Sequence, residues 1–202
     1  METIAKPIIL ASASPRRKEL LTSLGLTFEV EASSIDEHIP AMITPQEAVE
    51  TLAKRKAEAV ARHRKHGLVL GSDTLVVLDG EPLGKPRDEE EAFLMLNRLQ
   101  GRTHLVYTGV ALVDLESKQW KVGHEVTKVT MAPLSEVEIR KYIATKEPLD
   151  KAGAYAIQGL GATFVEKIEG DYFTVVGLPL RLTAQFLKAF GVDVLERCQG
   201  GC

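Results

Sequence analysis

The sequence predicts an α/β protein: a mixed β-sheet flanked by helices. Three observations predict it. Apolar runs of strand length alternate with segments of helical periodicity along the chain. Capping-box patterns at Thr44, Asp88 and Ser135 mark helix starts. Turn signals at Asp79-Gly80, Glu116-Ser117-Lys118 and Glu169-Gly170-Asp171 announce hairpins, which place antiparallel pairs among the α/β units.

The elements follow in order. Pro7–Ala11 is a short Ile-rich run, read as a buried strand. Ser14 is a suitable N-cap and Pro15 a suitable first helical residue. Leu20, Leu21 and Leu24 recur at helical spacing, and Gly25 ends the helix. Thr27–Ala32 is a second strand and Ser33–Ile43 a loop. Behind Thr44-Pro45, one helical face carries Val49, Leu52, Ala53, Lys56 and Val60, and Gly67 closes the segment. Leu68–Leu78 is a strongly apolar strand with Asp73 at its centre. A helix after Asp88 carries Phe93, Leu96 and Leu99 and stops before Gly101. His104–Leu115 and Trp120–Ala132 form a hairpin. The helix after Ser135 carries Ile139, Tyr142 and Ile143. Asp150–Gly161 is rich in Gly and Ala; it is either a small-residue helix start or close-packing loop, or a segment whose backbone and amide groups recognise a planar ligand. Phe164–Ile168 and Tyr172–Val176 pair as strands, and Leu178–Phe190 is a closing amphipathic helix. The length of 202 residues suits one domain or two small lobes sharing a core, expected over 1–195, followed by a flexible tail over 196–202.

Composition excludes several function classes. Hydrophobic residues at 45% and charged residues at 26% suit a globular chain rather than a disordered one. The formal charge is 25 minus 28, or -3, so a basic nucleic-acid footprint is absent and no nucleic-acid partner is expected. No apolar run reaches about 18 residues, so no membrane span is expected. The N-terminus lacks a basic region followed by an apolar core, and the expected location is the cytoplasm. Both cysteines, Cys198 and Cys202, lie in the tail, which excludes a disulfide framework for the fold. The five histidines show no metal-ligand spacing, which disfavours a zinc enzyme.

The residues that look chemical are cations and acids. Ser12–Arg17 (SASPRR) sets two hydroxyls before a helix start and two guanidiniums on its first turn. Cations there oppose the helix dipole, a conflict that a polyphosphate would relieve. The alternative is an ordinary capped helix with solvated arginines. Asp73 in an apolar strand needs partners, and with Gly71 and Ser72 before it and Thr74 after it, there is room for a ligand. It is either a structural hydrogen-bonding group or a carboxylate that holds a metal or activates water. Lys56 on an apolar helix face either snorkels to solvent or meets a phosphate. Lys85 sits between Gly84 and Pro86 in a constrained turn. Asp36-Glu37 is either a solvated pair or, if Glu37 approaches Asp73, half of a divalent-cation site. Gln158 can both donate to and accept from a planar ligand. Together, Arg16, Arg17, Lys56 and Lys85 with Glu37 and Asp73 are the groups that polyphosphate chemistry requires.

Six segments in order resemble the Maf family of nucleoside triphosphate pyrophosphatases. They are ASASPRR at Ala11–Arg17 with Glu19-Leu20-Leu21, LAKRKA at Leu52–Ala57, GSDT at Gly71–Thr74, GKP at Gly84–Pro86, DKAGAYAIQG at Asp150–Gly159 and GLP at Gly177–Pro179. The resemblance implies a fold related to the inosine-triphosphate pyrophosphatases, an elongated mixed sheet in two lobes with a central cleft, often homodimeric. It implies hydrolysis of a nucleoside triphosphate to the monophosphate and pyrophosphate with Mg²⁺ or Mn²⁺. It places the proton acceptor on Asp73, specificity positions on Arg16, Thr74 and Gln158, and further binding groups on Ser12, Arg17, Glu37, Lys56 and Lys85. Glu37 and Asp73 are the expected metal ligands. DKAGAYAIQG resembles the branch that acts on dTTP, UTP and modified pyrimidine nucleotides. Ser72 departs from the Ala common in that branch, and its hydroxyl offers one more hydrogen bond near Asp73. The rival expectation is a nucleotide-sensing regulator of septum formation with little turnover; direct DNA binding conflicts with the net charge.

Overall fold

The computed structural model describes residues 6–38 and 43–197. Strands β1 (Ile8–Leu10), β2 (Phe28–Val30), β3 (Leu68–Leu78), β4 (Glu81–Leu83), β5 (Thr103–Asp114), β6 (Trp120–Met131) and β7 (Val165–Glu169) form one sheet in the order β2-β1-β3-β5-β6-β7, with β4 beside β3. β1 pairs parallel with β2 and β3, whereas β3–β4 and β6–β7 are antiparallel. The sheet is therefore mixed, as predicted. The Asp79-Gly80 turn joins β3 to β4 with φ of +54° and +83°, the left-handed pair that a two-residue hairpin requires. The helices are α1 (Pro15–Ser23), α2 (Pro45–Ala61), α3 (Glu89–Leu99), α4 (Glu136–Ala144), α5 (Tyr172–Val176), α6 (Leu180–Ala189) and α7 (Val194–Arg197). Among the described residues, no helix is long and apolar enough to cross a membrane. Of the expected tail, Glu196 and Arg197 end α7, and 198–202 with both cysteines lie outside the described residues.

The chain divides into two compact units. The first holds the residues up to Asp73, Thr108–Glu125 and those from Gly177 on; the second holds Thr74–Tyr107 and Val126–Val176. In the first unit, Ile9, Ala11, Ala57, Val60, Val69, Val113 and Leu115 form a buried cluster. Helix α2 supplies it because its Thr44–Glu47 capping box forms and its predicted face is buried throughout. The helix also lies unusually close to the sheet. A Cβ on Gly71 would stand 2.1 Å from the Ala53 carbonyl oxygen, and one on Gly109 would stand 2.3 Å from that of Val49. Only glycine permits this approach.

In the second unit, α3 and α4 pack Ala92, Leu96, Leu99, Ile139 and Tyr142 against Val76, Leu78, Val129 and Met131. Two local predictions need correction there. Tyr172–Val176 is a helix, not a strand: Asp171 Oδ2 accepts both the backbone N and the hydroxyl of Thr174 at 2.8 Å and caps the turn. Local capping overrides the β-propensity of the YFTVV run. At α3, Asp88 accepts from Glu91 N, but the Glu91 carboxylate accepts from Arg87 N at 2.6 Å, so the reciprocal box does not close.

His104 on β5 is buried in this unit, its Nε2 2.7 Å from the Tyr155 hydroxyl and its Nδ1 without a partner among the described residues. Burial lowers its pKa to about 4. An unfolded histidine titrates near 6.5, so between these values only the unfolded chain binds the proton. Stability therefore falls as pH drops, by about 2 kcal/mol through this residue between pH 7 and 5. Urea denaturation of wild type and His104→Gln at both pH values should show this extra pH dependence in wild type alone. Equal dependence in both proteins contradicts it.

Candidate active site

The geometry starts from Gly71. Side chains two residues apart on a strand share a face, so Asp73 faces α2 as Gly71 does. One helical turn beyond Ala53 lies Lys56. The close approach brings its Nζ to 2.5 Å from Asp73 Oδ1, with 8% and 7% of the two residues exposed. Lys56 does not snorkel away. The same Nζ lies 2.8 Å from Glu37 Oε1. The Glu37 loop is tied to α2, since Arg55 Nη1 donates to the His38 carbonyl at 3.0 Å. Glu37 thus reaches the Asp73 neighbourhood, and the two carboxylates share one ammonium.

Helix α1 contributes the guanidinium of Arg17, which donates from Nε to the Gly177 carbonyl at 2.8 Å and from Nη1 to Ser12 Oγ at 3.3 Å. Burial lowers the Arg17 pKa; Asp73 opposes that fall, Arg16 adds to it, and Glu37 opposes it. Arg17 thus feels both carboxylates. Ser14 occupies the N-cap position of α1 but its side chain makes no capping hydrogen bond, contrary to expectation; Ser14 N instead donates to Ser12 Oγ at 3.2 Å. The first turn of α1 also carries no acidic residue. The positive end of the helix dipole is accordingly neither capped by Ser14 nor offset by an acid, an arrangement suited to an anion. Ser72 Oγ, fully buried, donates to the Gly177 carbonyl at 3.0 Å. Its hydroxyl therefore braces the segment that also holds Arg17, a role that the sequence position alone did not indicate.

Ser12, Arg16, Arg17, Glu37, Lys56 and Asp73 all belong to the first unit. Thr74, Lys85 and Gln158 belong to the second: Thr74 and Gln158 are half-buried and Lys85 is exposed. The boundary falls between Asp73 and Thr74 within β3.

The donor set at Glu37 and Asp73 fits a hard divalent cation. Two carboxylate oxygens already converge on one positive charge, and Mg²⁺ is commonly held by one or two carboxylates plus substrate phosphates. Among the described residues, no group of three His, Cys, Asp or Glu could hold a metal by itself. This pair therefore suits an ion whose shell the substrate completes.

A helix start with neither a side-chain cap nor an acid, a buried lysine between two carboxylates and a braced arginine thus stand together in the first unit. The family model described as Maf-like protein matches residues 7–190, and the chain belongs to that family. A relative from Pelotomaculum thermopropionicum is 55% identical over 94% of this chain and 100% of its own length. One from Desulforamulus reducens is 52% identical over the same shares. One from Moorella thermoacetica is 54% identical over 94% of this chain and 98% of its own. Each is named dTTP/UTP pyrophosphatase. A solved structure, that of the Staphylococcus aureus Ham1 protein, is 18% identical over 79% of this chain and 80% of that one, with a TM-score of 0.48.

Proposed function

We propose that this chain is a nucleoside triphosphate pyrophosphatase that hydrolyses dTTP, UTP and modified pyrimidine nucleotides to the monophosphate and pyrophosphate, as nucleotide-pool house-cleaning. The observation that carries the reading is the lysine held between Glu37 and Asp73, with Arg17 in the field of both. Relatives at 50% identity or more over nearly the whole chain, all bearing the same enzymatic name, support it.

In this reading Asp73 accepts a proton from the attacking water, and the anhydride between the α and β phosphates breaks. Arg16, Arg17, Lys56 and Lys85 bind the phosphates and neutralise the charge that develops on the leaving pyrophosphate. Ser12 helps to hold Arg17 in place for this. Thr74 and Gln158, with Arg16, read the pyrimidine. Glu37 and Asp73 hold the divalent cation, Mg²⁺ or Mn²⁺, which supplies charge neutralisation on the phosphate oxygens when bound. The reading includes a cytoplasmic homodimer that takes free nucleotides rather than nucleic acid; sedimentation of the purified chain checks the dimer.

Pyrophosphate release from dTTP, UTP, CTP, GTP, ITP and 7-methyl-GTP with Mg²⁺ or Mn²⁺ tests the substrate class. The expected order has dTTP and UTP ahead in kcat/KM. A preference for 7-methyl-GTP would keep the chemistry and overturn the assignment of Gln158.

A further inference from the structure

Gln158 stands in a segment whose backbone is held from outside it. Gly153, Ala154 and Gly159 have φ of +69°, +57° and +67°, and of these Ala154 is in a region that residues with a Cβ rarely adopt. Two side chains anchor the stretch. The Tyr142 hydroxyl on α4 accepts from Ala156 N at 3.2 Å and donates to Glu147 Oε1 at 2.9 Å. Glu147 in turn accepts from Leu160 N through Oε2 at 3.1 Å and from Gly161 N through Oε1 at 3.0 Å. One hydroxyl–carboxylate pair thus grips the backbone before and after Gln158.

The grip is tight. A Cβ on Gly159 would stand 2.7 Å from Glu147 Oε2, and one on Gly161 would stand 2.7 Å from the Tyr142 hydroxyl. The Tyr142 ring is itself fixed edge-on against Phe164, with centroids 5.0 Å apart. Burial pushes the Glu147 pKa up, but the two amides, the Tyr142 hydroxyl and Lys151 outweigh it, so the carboxylate lies below its ordinary range.

We propose that Tyr142 and Glu147 are positioning residues for substrate selection, fixing the backbone on both sides of Gln158 so that its amide meets the pyrimidine in one orientation. The inference rests on the proposed base-reading role of Gln158. An amide carries a donor and an acceptor that must face their partners, so a small displacement of its backbone costs discrimination rather than chemistry.

The test compares Gln158→Ala, Glu147→Ala, Glu147→Gln, Tyr142→Phe and the Glu147→Ala/Gln158→Ala double variant in the otherwise intact chain. The readout is the ratio of kcat/KM for dTTP over GTP, with a thermal melt for each protein. Gln158→Ala and Glu147→Ala should each lower the ratio about tenfold or more, chiefly through the KM for dTTP. Tyr142→Phe should lower it less, because the ring stays. Glu147→Gln should recover part of it, because an acceptor oxygen stays. The double variant should match Gln158→Ala alone. Should Glu147→Ala fail to fold, Tyr142→Phe and Glu147→Gln decide, and an unchanged ratio in both overturns the proposal. An unchanged ratio in Gln158→Ala defeats the base-reading role and the proposal with it. A lowered ratio in Gln158→Ala with an unchanged one in folded Glu147→Ala defeats the positioning role alone. A further loss in the double variant as large as in the single one also defeats it, since Glu147 would then act independently of Gln158.

Discussion

Asp73→Asn should lower dTTP turnover by about 10²–10⁴-fold and leave the protein folded. The substitution keeps the size of the side chain and removes its charge and its capacity to take a proton. Lys56 is not stranded, because Glu37 Oε1 remains 2.8 Å from its Nζ. The Ser72 hydrogen bond to the Gly177 carbonyl is untouched. The loss should appear chiefly in kcat, since the missing proton acceptor acts in the transition state, and the asparagine carbonyl oxygen still offers a neutral ligand to the cation. Steady-state kinetics alongside a urea melt separate the two effects. A folded variant with full turnover removes Asp73 from the chemistry.

Lys56→Met should behave differently, with a second large effect. Methionine fits the helical face of α2 and replaces the stem of the lysine, but Asp73 then keeps a buried charge without the ammonium 2.5 Å away. Breaking a buried pair from one side typically costs about 3–5 kcal/mol. The field of Arg17 remains and moderates that cost. Turnover should also fall by about 10²–10³-fold as a phosphate-neutralising cation is lost. The urea midpoint of Lys56→Met should therefore lie well below that of Asp73→Asn, although both should lose most of their turnover. Equal midpoints would mean that the lysine–aspartate pair contributes little to the fold. The adjacent glutamate matters less for stability, because its side chain is 53% exposed and its ion pair is screened.

The parts of the fold that were legible from sequence are those in which local rules agree with packing. Helix α2 is an example: Thr44, Pro45 and Glu47 set its start, and its apolar spacing set its buried face. The long strands and the turn at Asp79-Gly80 follow similarly from β-rich runs bounded by turn residues. Tyr172–Val176 misled because a cap at Asp171 acts through hydrogen bonds that a propensity for strands does not register. In the candidate site, Asp73, Lys56 and Arg17 stood out as charged residues in an apolar strand, on an apolar helix face and at a helix start, whereas Glu37 stood out only through the resemblance and a conditional approach to Asp73. Their mutual contacts were not legible. Glu37 and Lys56 meet through a loop whose path no spacing rule describes, and the approach of α2 depends on Gly71 and Gly109 acting from two strands. Glu147 carried no signal at all, because a glutamate before a proline has no motif; Tyr142 showed only as a core position.

The most direct measurement is the product ratio when excess dTTP is incubated with the protein and Mg²⁺, followed by ³¹P NMR. Thymidine monophosphate and pyrophosphate should form in equal amounts, many per chain, and about 10²–10⁴-fold more slowly in Asp73→Asn. Tight, stoichiometric binding of dTTP without product, or release of inorganic phosphate in place of pyrophosphate, would contradict this expectation.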